Sequence, residues 1–126
     1  MTLYAALNVT TLGLRDGVLR VRVAGALDYD TSEQLTRHVA QELETHPAVR
    51  TLCLDCTELG TVDSMGVSVL LSLRRRLDER GAALRLVERS ARLDRLLSVT
   101  GTYEYLIGEA TGERESTAAD FEPGPP

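Results

Sequence analysis

A serine with an acidic neighbour stands where a short apolar stretch gives way to a long amphipathic one. The residues are Asp63, Ser64, Met65 and Gly66, and the pattern after them predicts a helix from about Ser64 to Arg80. Backbone N–H groups in the first turn of a helix lack intrahelical partners, and the helix dipole is positive there. A phosphate group is well tolerated at such a position. Ser64 is therefore predicted either to cap the helix or to accept a phosphate.

Two more aspartates end the predicted strands that precede this helix. Asp28 follows one apolar strand and Asp55 follows the next. Ligand and partner sites favour the edge where the carboxyl ends of parallel strands meet, so we expect Asp28, Asp55, Asp63 and Ser64 to lie together there.

These carboxylates also invite an enzymatic interpretation, as a metal site or an acid–base pair. Asp28 and Asp63 suit turn and cap roles equally well. The sequence has no G-x-x-x-x-G-K-[ST] phosphate loop, and no histidine is an evident partner for Ser64. We therefore predict no catalytic residue, no metal and no cofactor.

The pair Cys53-x-x-Cys56 is the second motif with potential chemistry, either redox or as half of a zinc site. Cys53 lies inside a predicted strand, whereas a thioredoxin-like pair opens a helix. The chain has only two cysteines, and His38 and His46 belong to another segment. Buried structural thiols are the expected interpretation.

Composition narrows the possible functions further. The chain has 126 residues, 43% of them apolar, which suits one domain with a core. A net charge of −5 argues against a general nucleic-acid binder, and 4% aromatic residues argue against a base-stacking platform. No apolar stretch approaches the roughly 20 residues that span a bilayer, and no signal-like segment opens the chain. We expect a cytoplasmic protein without membrane or direct nucleic-acid contacts.

The first half of the chain predicts a hairpin followed by a helix and a strand. Residues 3–12 and 18–23 flank the turn signal Asp16-Gly17, which predicts two antiparallel strands. A helix is expected to begin near Thr31, because Thr31 and Gln34 have the spacing of a capping box. A short, largely buried strand follows at residues 49–55.

The second half continues the alternation. After the helix that begins near Ser64, a strand is predicted at residues 84–87, then a helix capped by Ser90 and a short element at residues 103–107. The order β-β-α-β-α-β-α predicts an α/β fold with a mixed sheet and helices packed mainly on one face. Residues 1–109 are predicted to form the domain and residues 110–126 a disordered tail, because apolar content drops there.

Arginines cluster near the end of the helix that begins at Ser64. They are Arg74, Arg75, Arg76 and Arg80. One interpretation is a solvated helix face with i,i+4 pairs such as Arg75 with Glu79. The other is a contact with an acidic partner.

Four segments, in order, resemble the STAS domains of bacterial anti-sigma factor antagonists. They are the family's Gly-x-Leu-Asp signature, its Asp-Ser-(Ser/Thr)-Gly motif after a buried strand, its glycine-then-strand segment and its Leu-x-x-Thr-Gly ending, here residues 25–28, 52–67, 81–87 and 96–101. The resemblance covers about residues 5–107 and implies a STAS-type fold. It assigns the phosphorylated serine to Ser64. Met65 stands where many relatives have Ser or Thr, and Val67 replaces the usual Leu.

The resemblance implies an anti-sigma factor antagonist that acts by partner switching and is not an enzyme. The unphosphorylated form would bind an anti-sigma factor that is also a serine kinase of the histidine-kinase-like ATPase type, which frees a sigma factor. Phosphorylation at Ser64 would abolish binding, and a PP2C-type phosphatase would restore it. The residues expected around the phosphosite and partner surface are Asp28, Tyr29, Asp55, Asp63, Met65, Gly66, Val67 and Ser68. The alternative is a STAS scaffold or small-ligand-binding module in which Ser64 is only a helix cap.

Overall fold

A computed structural model describes residues 6–108 of the chain. The strands form one mixed sheet in the order β1-β2-β3-β5, with β4 also paired to β2. The predicted α/β class is confirmed. The elements are β1 (Leu7–Arg15), β2 (Val18–Leu27), α1 (Ser32–Thr45), β3 (Thr51–Asp55), β4 (Leu59–Val62), α2 (Ser64–Glu79), β5 (Ala83–Val87), α3 (Ala91–Val99) and α4 (Tyr103–Ile107).

The opening hairpin forms as its turn signal predicts. β1 and β2 are antiparallel, and Arg15 pairs directly with Val18. The two residues between them, Asp16 and Gly17, both have positive φ angles, 54° and 80°. Such angles at both central positions match the right-handed twist of the flanking strands, which is why Asp-Gly favours this turn.

The sheet has one face covered by helices and one open face. β2, β3 and β5 run parallel in register, so alternate residues share a face. The helix-covered face is buried and consists of Leu19, Val21, Val23, Leu52, Leu54, Leu84 and Leu86. The opposite face carries the exposed arginines Arg20, Arg22 and Arg85. The prediction that helices pack mainly on one face is confirmed.

The predicted capping box at the start of α1 does not form. The Thr31 hydroxyl donates to the Ala26 carbonyl at 2.8 Å and accepts from the Asp28 N–H at 3.0 Å. The Gln34 side-chain amide donates to the Leu7 carbonyl at 2.7 Å. Both side chains therefore tie α1 to the strands, because tertiary partners replace the local ones that the spacing suggested.

A strand that the sequence pattern did not indicate precedes α2. β4 is only four residues long, contains a glycine and shows no clear alternation. It pairs with β2 through Gly25 with Leu59 and Leu27 with Val62. β2 is twice as long as β3, so its second half extends past β3, and β4 pairs with it on that side. The element at 103–107 is a helix, and the predicted tail at 110–126 lies outside the described residues.

The arginines on α2 make an i,i+4 ion pair that differs from the predicted one. Arg74, not Arg75, makes the i,i+4 ion pair, with Asp78 at 3.1 Å. Its guanidinium also lies 4.8 Å from the centre of the Tyr105 ring, which joins α2 to α4. The expected pair of Arg75 with Glu79 is not formed within residues 6–108. Arg75 remains exposed.

Candidate phosphorylation and partner-binding site

Asp63, and not Ser64, caps the N-terminus of α2. Asp63 has an extended backbone, and its Oδ1 accepts a hydrogen bond from the Gly66 N–H at 2.9 Å. Its carbonyl accepts the first intrahelical bond, from the Val67 N–H at 3.0 Å. The prediction that Ser64 is the N-cap residue is therefore wrong by one position. A short carboxylate reaches the third residue along from an extended backbone, so Asp63 satisfies the cap and leaves Ser64 in the first helical position.

Ser64 presents its side chain to solvent. The residue is exposed, and its hydroxyl makes no hydrogen bond with any other residue between 6 and 108. The N–H groups of Ser64 and Met65 belong to the first turn, where the helix itself supplies no acceptor. The hydroxyl is therefore free to react, and donors for an added anion lie beside it.

Close packing at Gly66 holds this end of α2 against the end of β2. A Cβ atom at Gly66 would lie 2.5 Å from the Leu27 carbonyl oxygen and 2.8 Å from Val62 Cγ1. The same Leu27 carbonyl accepts the Asp63 N–H at 3.2 Å. Only glycine, which has no Cβ atom, allows α2 to lie so close to the end of β2. This close packing fixes the position of Ser64 relative to the sheet. Leu27 is the leucine of the Gly-x-Leu-Asp signature, but nothing in the sequence indicates that its carbonyl contacts Gly66.

Asp28 shapes the loop that follows Leu27. Its Oδ1 accepts the Asp30 N–H at 2.9 Å and the Thr31 N–H at 3.2 Å. Its carbonyl accepts the Ser32 hydroxyl at 2.5 Å. These bonds form a local turn of the kind aspartate favours. Tyr29, within this turn, is 74% exposed and lies two residues after Leu27, whose carbonyl accepts the Asp63 N–H.

Asp55 is held by its own turn, at the end of β3. Its Oδ1 accepts the Thr57 hydroxyl at 2.6 Å and the Thr57 N–H at 2.9 Å, and the residue is 8% exposed. The Thr57 hydrogen bonds lower the pKa of the Asp55 carboxyl, with burial opposing them and the Arg22 guanidinium, 3.8 Å away, assisting. Asp55 therefore has a structural role, as a buried carboxylate on the open face of the sheet.

The expectation that the three aspartates and Ser64 meet at one place is wrong for Asp55. Arg22 pairs with Asp55 across the sheet, whereas Leu27, five residues further along β2, contacts the start of α2. Five strand residues span about 16 Å. β4 lies between Asp55 and Asp63 in the sequence and runs beside the second half of β2. Asp63 therefore lies near the Asp28 loop, whereas Asp55 does not.

The residues predicted around Ser64 divide by exposure. Met65 is 40% exposed, and Ser68, one turn after Ser64, is also exposed. Gly66 and Val67 are buried and lie on the side of the helix that packs against the rest of the domain. The exposed neighbours of Ser64 along the chain are thus Asp63, Met65 and Ser68, and the Tyr29 loop follows Leu27, whose carbonyl contacts the start of α2.

The cysteines are free and buried. Burial raises the pKa of the Cys56 thiol to about 12, and the neighbouring Asp55 carboxylate contributes. A thiol with so high a pKa is unreactive at neutral pH. Cys53 lies in β3 directly between Arg20 and Arg85 of the adjacent strands. Both thiols have the character of structural residues.

Between residues 6 and 108, no group of three or more His, Cys, Asp or Glu side chains is arranged to hold a metal ion. None of the helices in that range is both long and apolar enough to cross a membrane.

Known proteins resemble this chain both in sequence and in fold. The sequence model of the STAS domain matches residues 11–118. The anti-sigma F factor antagonist of Paenibacillus polymyxa is 24% identical over 90 residues, which cover 71% of this chain and 76% of that protein. The unphosphorylated form of the anti-sigma factor antagonist SpoIIAA aligns with a TM-score of 0.65 at 22% identity, over 86% of this chain and 90% of that one.

A further solved structure has the same fold. An anti-sigma factor antagonist from Mycobacterium paratuberculosis aligns with a TM-score of 0.65 at 23% identity, over 78% of this chain and 82% of that one. At such identities these structures establish the shared architecture, and the match over residues 11–118 establishes the family. The chain belongs to the STAS domain family.

Proposed function

We propose that this protein is an anti-sigma factor antagonist that acts by partner switching. The unphosphorylated form binds an anti-sigma factor with serine kinase activity, of the histidine-kinase-like ATPase type, and a sigma factor is released. Phosphorylation of Ser64 ends the binding. The observation that carries the proposal is the exposed Ser64 hydroxyl, free of partners within residues 6–108, at the start of α2 in a chain of this family.

The chemistry of the site supports a switch that acts on binding rather than on folding. A phosphate adds about −1.5 to −2 charges next to the Asp63 carboxylate. The first-turn N–H groups of α2 and the helix dipole compensate part of this charge within the protein. An acidic or tightly packed partner surface would offer no such compensation, and a loss of about 3 kcal/mol there would lower affinity roughly a hundredfold.

The exposed residues near Ser64 support a protein partner. Tyr29 and Met65 are 74% and 40% exposed, and each offers a large side chain at the rim of the site. Tyrosine contributes strongly to protein interfaces, and methionine adapts its shape to a partner. Met65 replaces the second hydroxyl residue of the family motif, so Ser64 is the single acceptor within it.

The proposal includes further partners and a location. A PP2C-type phosphatase removes the phosphate and restores binding, and the exchange takes place in the bacterial cytoplasm. In this scheme the protein is a substrate and a ligand, and it contributes no catalytic group of its own. Asp63, Gly66 and Val67 support the site, and Asp28 shapes the Tyr29 loop.

Phosphorylation at Ser64 is tested by mass. The full chain is incubated with a candidate anti-sigma factor kinase and ATP, intact mass is measured, and the modified residue is mapped. We expect one added phosphate at Ser64 in the wild-type chain and in the matched control Ser68→Ala, and none in Ser64→Ala. A phosphate elsewhere, or none with a kinase shown to bind the protein, contradicts the proposal.

Binding separates the switch from the alternative module. Ser64→Ala should bind the kinase persistently in the presence of ATP, whereas Ser64→Asp should bind about tenfold or more weakly, equivalent to about 1.4 kcal/mol. Equal binding by the two variants favours a scaffold or ligand-binding module in which Ser64 has no switching role. Circular dichroism spectra and melting curves of the phosphorylated and unphosphorylated forms should be similar, and unfolding of the phosphorylated form would disprove the mechanism.

A further inference from the structure

The open face of the sheet concentrates positive charge in an acidic protein. Arg20 and Arg22 of β2 and Arg85 of β5 lie on this face and are exposed. Arg15, paired with Val18 in the hairpin, extends the same row. We call these four residues the arginine face. Its strands carry one acidic side chain on this side, Asp55, which is buried and already engaged by Thr57.

The arginine face is largely unneutralised within residues 6–108. Arg22 lies 3.8 Å from Asp55, but Arg20 and Arg85 have no carboxylate within ion-pair distance in that range. The face also contains a shallow depression of about 510 Å³, lined by Gly13, Leu14, Arg15, Asp16, Val18 and Arg20. A cluster of like charges on a flat, open surface attracts an extended acidic chain.

The segment that follows residue 108 has the complementary charge. Residues 109–126 carry four of the chain's five net negative charges, from Glu109, Glu113, Glu115, Asp120 and Glu122 against Arg114. The part of the chain before residue 109 therefore has a net charge of −1, so the acidic side chains that balance the arginine face in number lie elsewhere on the domain and not on that face.

The point of attachment places this segment within reach of the arginine face. Residue 108 directly follows α4, and α4 packs against β5, the strand that carries Arg85. Residues 109–126 span about 60 Å when extended, whereas four strands are about 15 Å across. Tethering also holds the segment at a millimolar effective concentration, so weak ion pairs suffice for contact.

We propose that the acidic segment 109–126 of the same chain docks on the arginine face. The inference rests on charge and attachment and is independent of phosphorylation at Ser64. A docked segment shields these arginines from other polyanions and leaves the Ser64 edge of the sheet open to a partner.

Nuclear magnetic resonance of the full chain tests this contact. The wild type is compared with a variant carrying Glu113→Gln, Glu115→Gln, Asp120→Asn and Glu122→Gln, at about 20 mM and about 500 mM salt, where screening differs strongly. At low salt we expect the side-chain Nε–H resonances of Arg20, Arg22 and Arg85 to move several-fold more than those of Arg75 and Arg76. High salt should remove the difference.

The reciprocal experiment changes the face instead. Arg20→Gln with Arg85→Gln should shift the resonances of residues 113–122, and the matched control Arg75→Gln with Arg76→Gln on α2 should not. If the first pair fails to fold, the segment variant still decides the question, because its substitutions lie outside the sheet. Equal shifts at all arginines, no shift at low salt, or shifts that grow with protein concentration and so indicate a second copy would each overturn the proposal.

Discussion

Replacing Gly66 with alanine directly tests the packing that places Ser64 at the sheet edge. Alanine at an ordinary helix position is more stable than glycine by up to about 1 kcal/mol. At Gly66 the new Cβ would lie 2.5 Å from the Leu27 carbonyl oxygen, which is backbone, and 2.8 Å from Val62 Cγ1. Leu27 also holds the Asp63 N–H and pairs with Val62, so it cannot move alone.

The two effects have opposite signs, and the steric one is larger. Overpacking costs typically about 1–3 kcal/mol, so we expect Gly66→Ala to destabilise the protein by about 1–2 kcal/mol after the gain in helix propensity. For a domain of this size each kcal/mol lowers Tm by about 4–8 °C. Urea unfolding followed by circular dichroism measures the change, and an unchanged m-value would show that the unfolded state is unaffected.

A matched control and a double-mutant cycle isolate the contact. Ser68→Ala, an exposed site two residues further along α2, should be neutral or slightly stabilising. Val62→Ala removes one of the two clashing groups, so Gly66→Ala should cost less in that background. If Gly66→Ala is as stable as the wild type or more stable, the close approach of α2 to Leu27 is wrong, and so is the position it assigns to Ser64.

Three further outcomes follow from the same structure. Asp63→Ala should lower stability by about 1 kcal/mol through loss of the cap, whereas Asp63→Asn should lower it less; urea midpoints measure both, and equal loss in both would argue against capping. The folded-state pKa of Asp55 is lowered, so its carboxylate stabilises the fold above its unfolded pKa near 4, and that contribution is lost as pH falls through the folded value. Wild type should therefore lose more stability between about pH 5 and pH 3 than Asp55→Asn, and parallel losses would contradict this assignment. With a thiol pKa of about 12, native Cys56 should alkylate far more slowly at about pH 8 than the urea-unfolded chain, as peptide mapping would show; comparable rates would mean that the thiol is not buried.

The hairpin and the helix termini show how far local patterns reach. The Asp16-Gly17 turn and the Ser90 cap, which accepts the Leu93 N–H at 3.0 Å, depend on neighbours within three residues. Such interactions are encoded locally, so the sequence predicts them well. The cap of α2 was misplaced by one residue because Asp63 and Ser64 are both good cap residues and only the backbone conformation distinguishes them.

The missed strand and the misplaced aspartate have a common cause. β4 is short and contains Gly60, so it lacks the alternation that marks a strand. Its partner is the second half of β2, more than thirty residues away in sequence. Because β4 separates Asp55 from Asp63 along the sheet, the failure to predict it led directly to the expectation that the two carboxylates meet.

The signature glycines reveal tertiary contacts that no local pattern specifies. At Gly25 a Cβ would lie 1.9 Å from the Ala6 carbonyl oxygen, and Gly66 has the corresponding constraint against Leu27. The sequence marks both as motif positions without naming what approaches them. Thr31 and Gln34 show the converse. Their spacing matches a local capping box, but their side chains donate hydrogen bonds to carbonyl groups of β2 and β1 instead.

By itself, the sequence determined the order of the strands and helices other than β4, the apolar faces that bury against one another, and a serine at the start of a helix beside Asp63. These properties arise from residue periodicity and from interactions within one turn. Only the tertiary structure decided that Asp63 is the cap, that Asp55 belongs to a separate turn, and that the open face gathers Arg15, Arg20, Arg22 and Arg85. Those outcomes depend on strand register and on backbone contacts between distant segments, which are set when the sheet assembles and not by neighbouring residues.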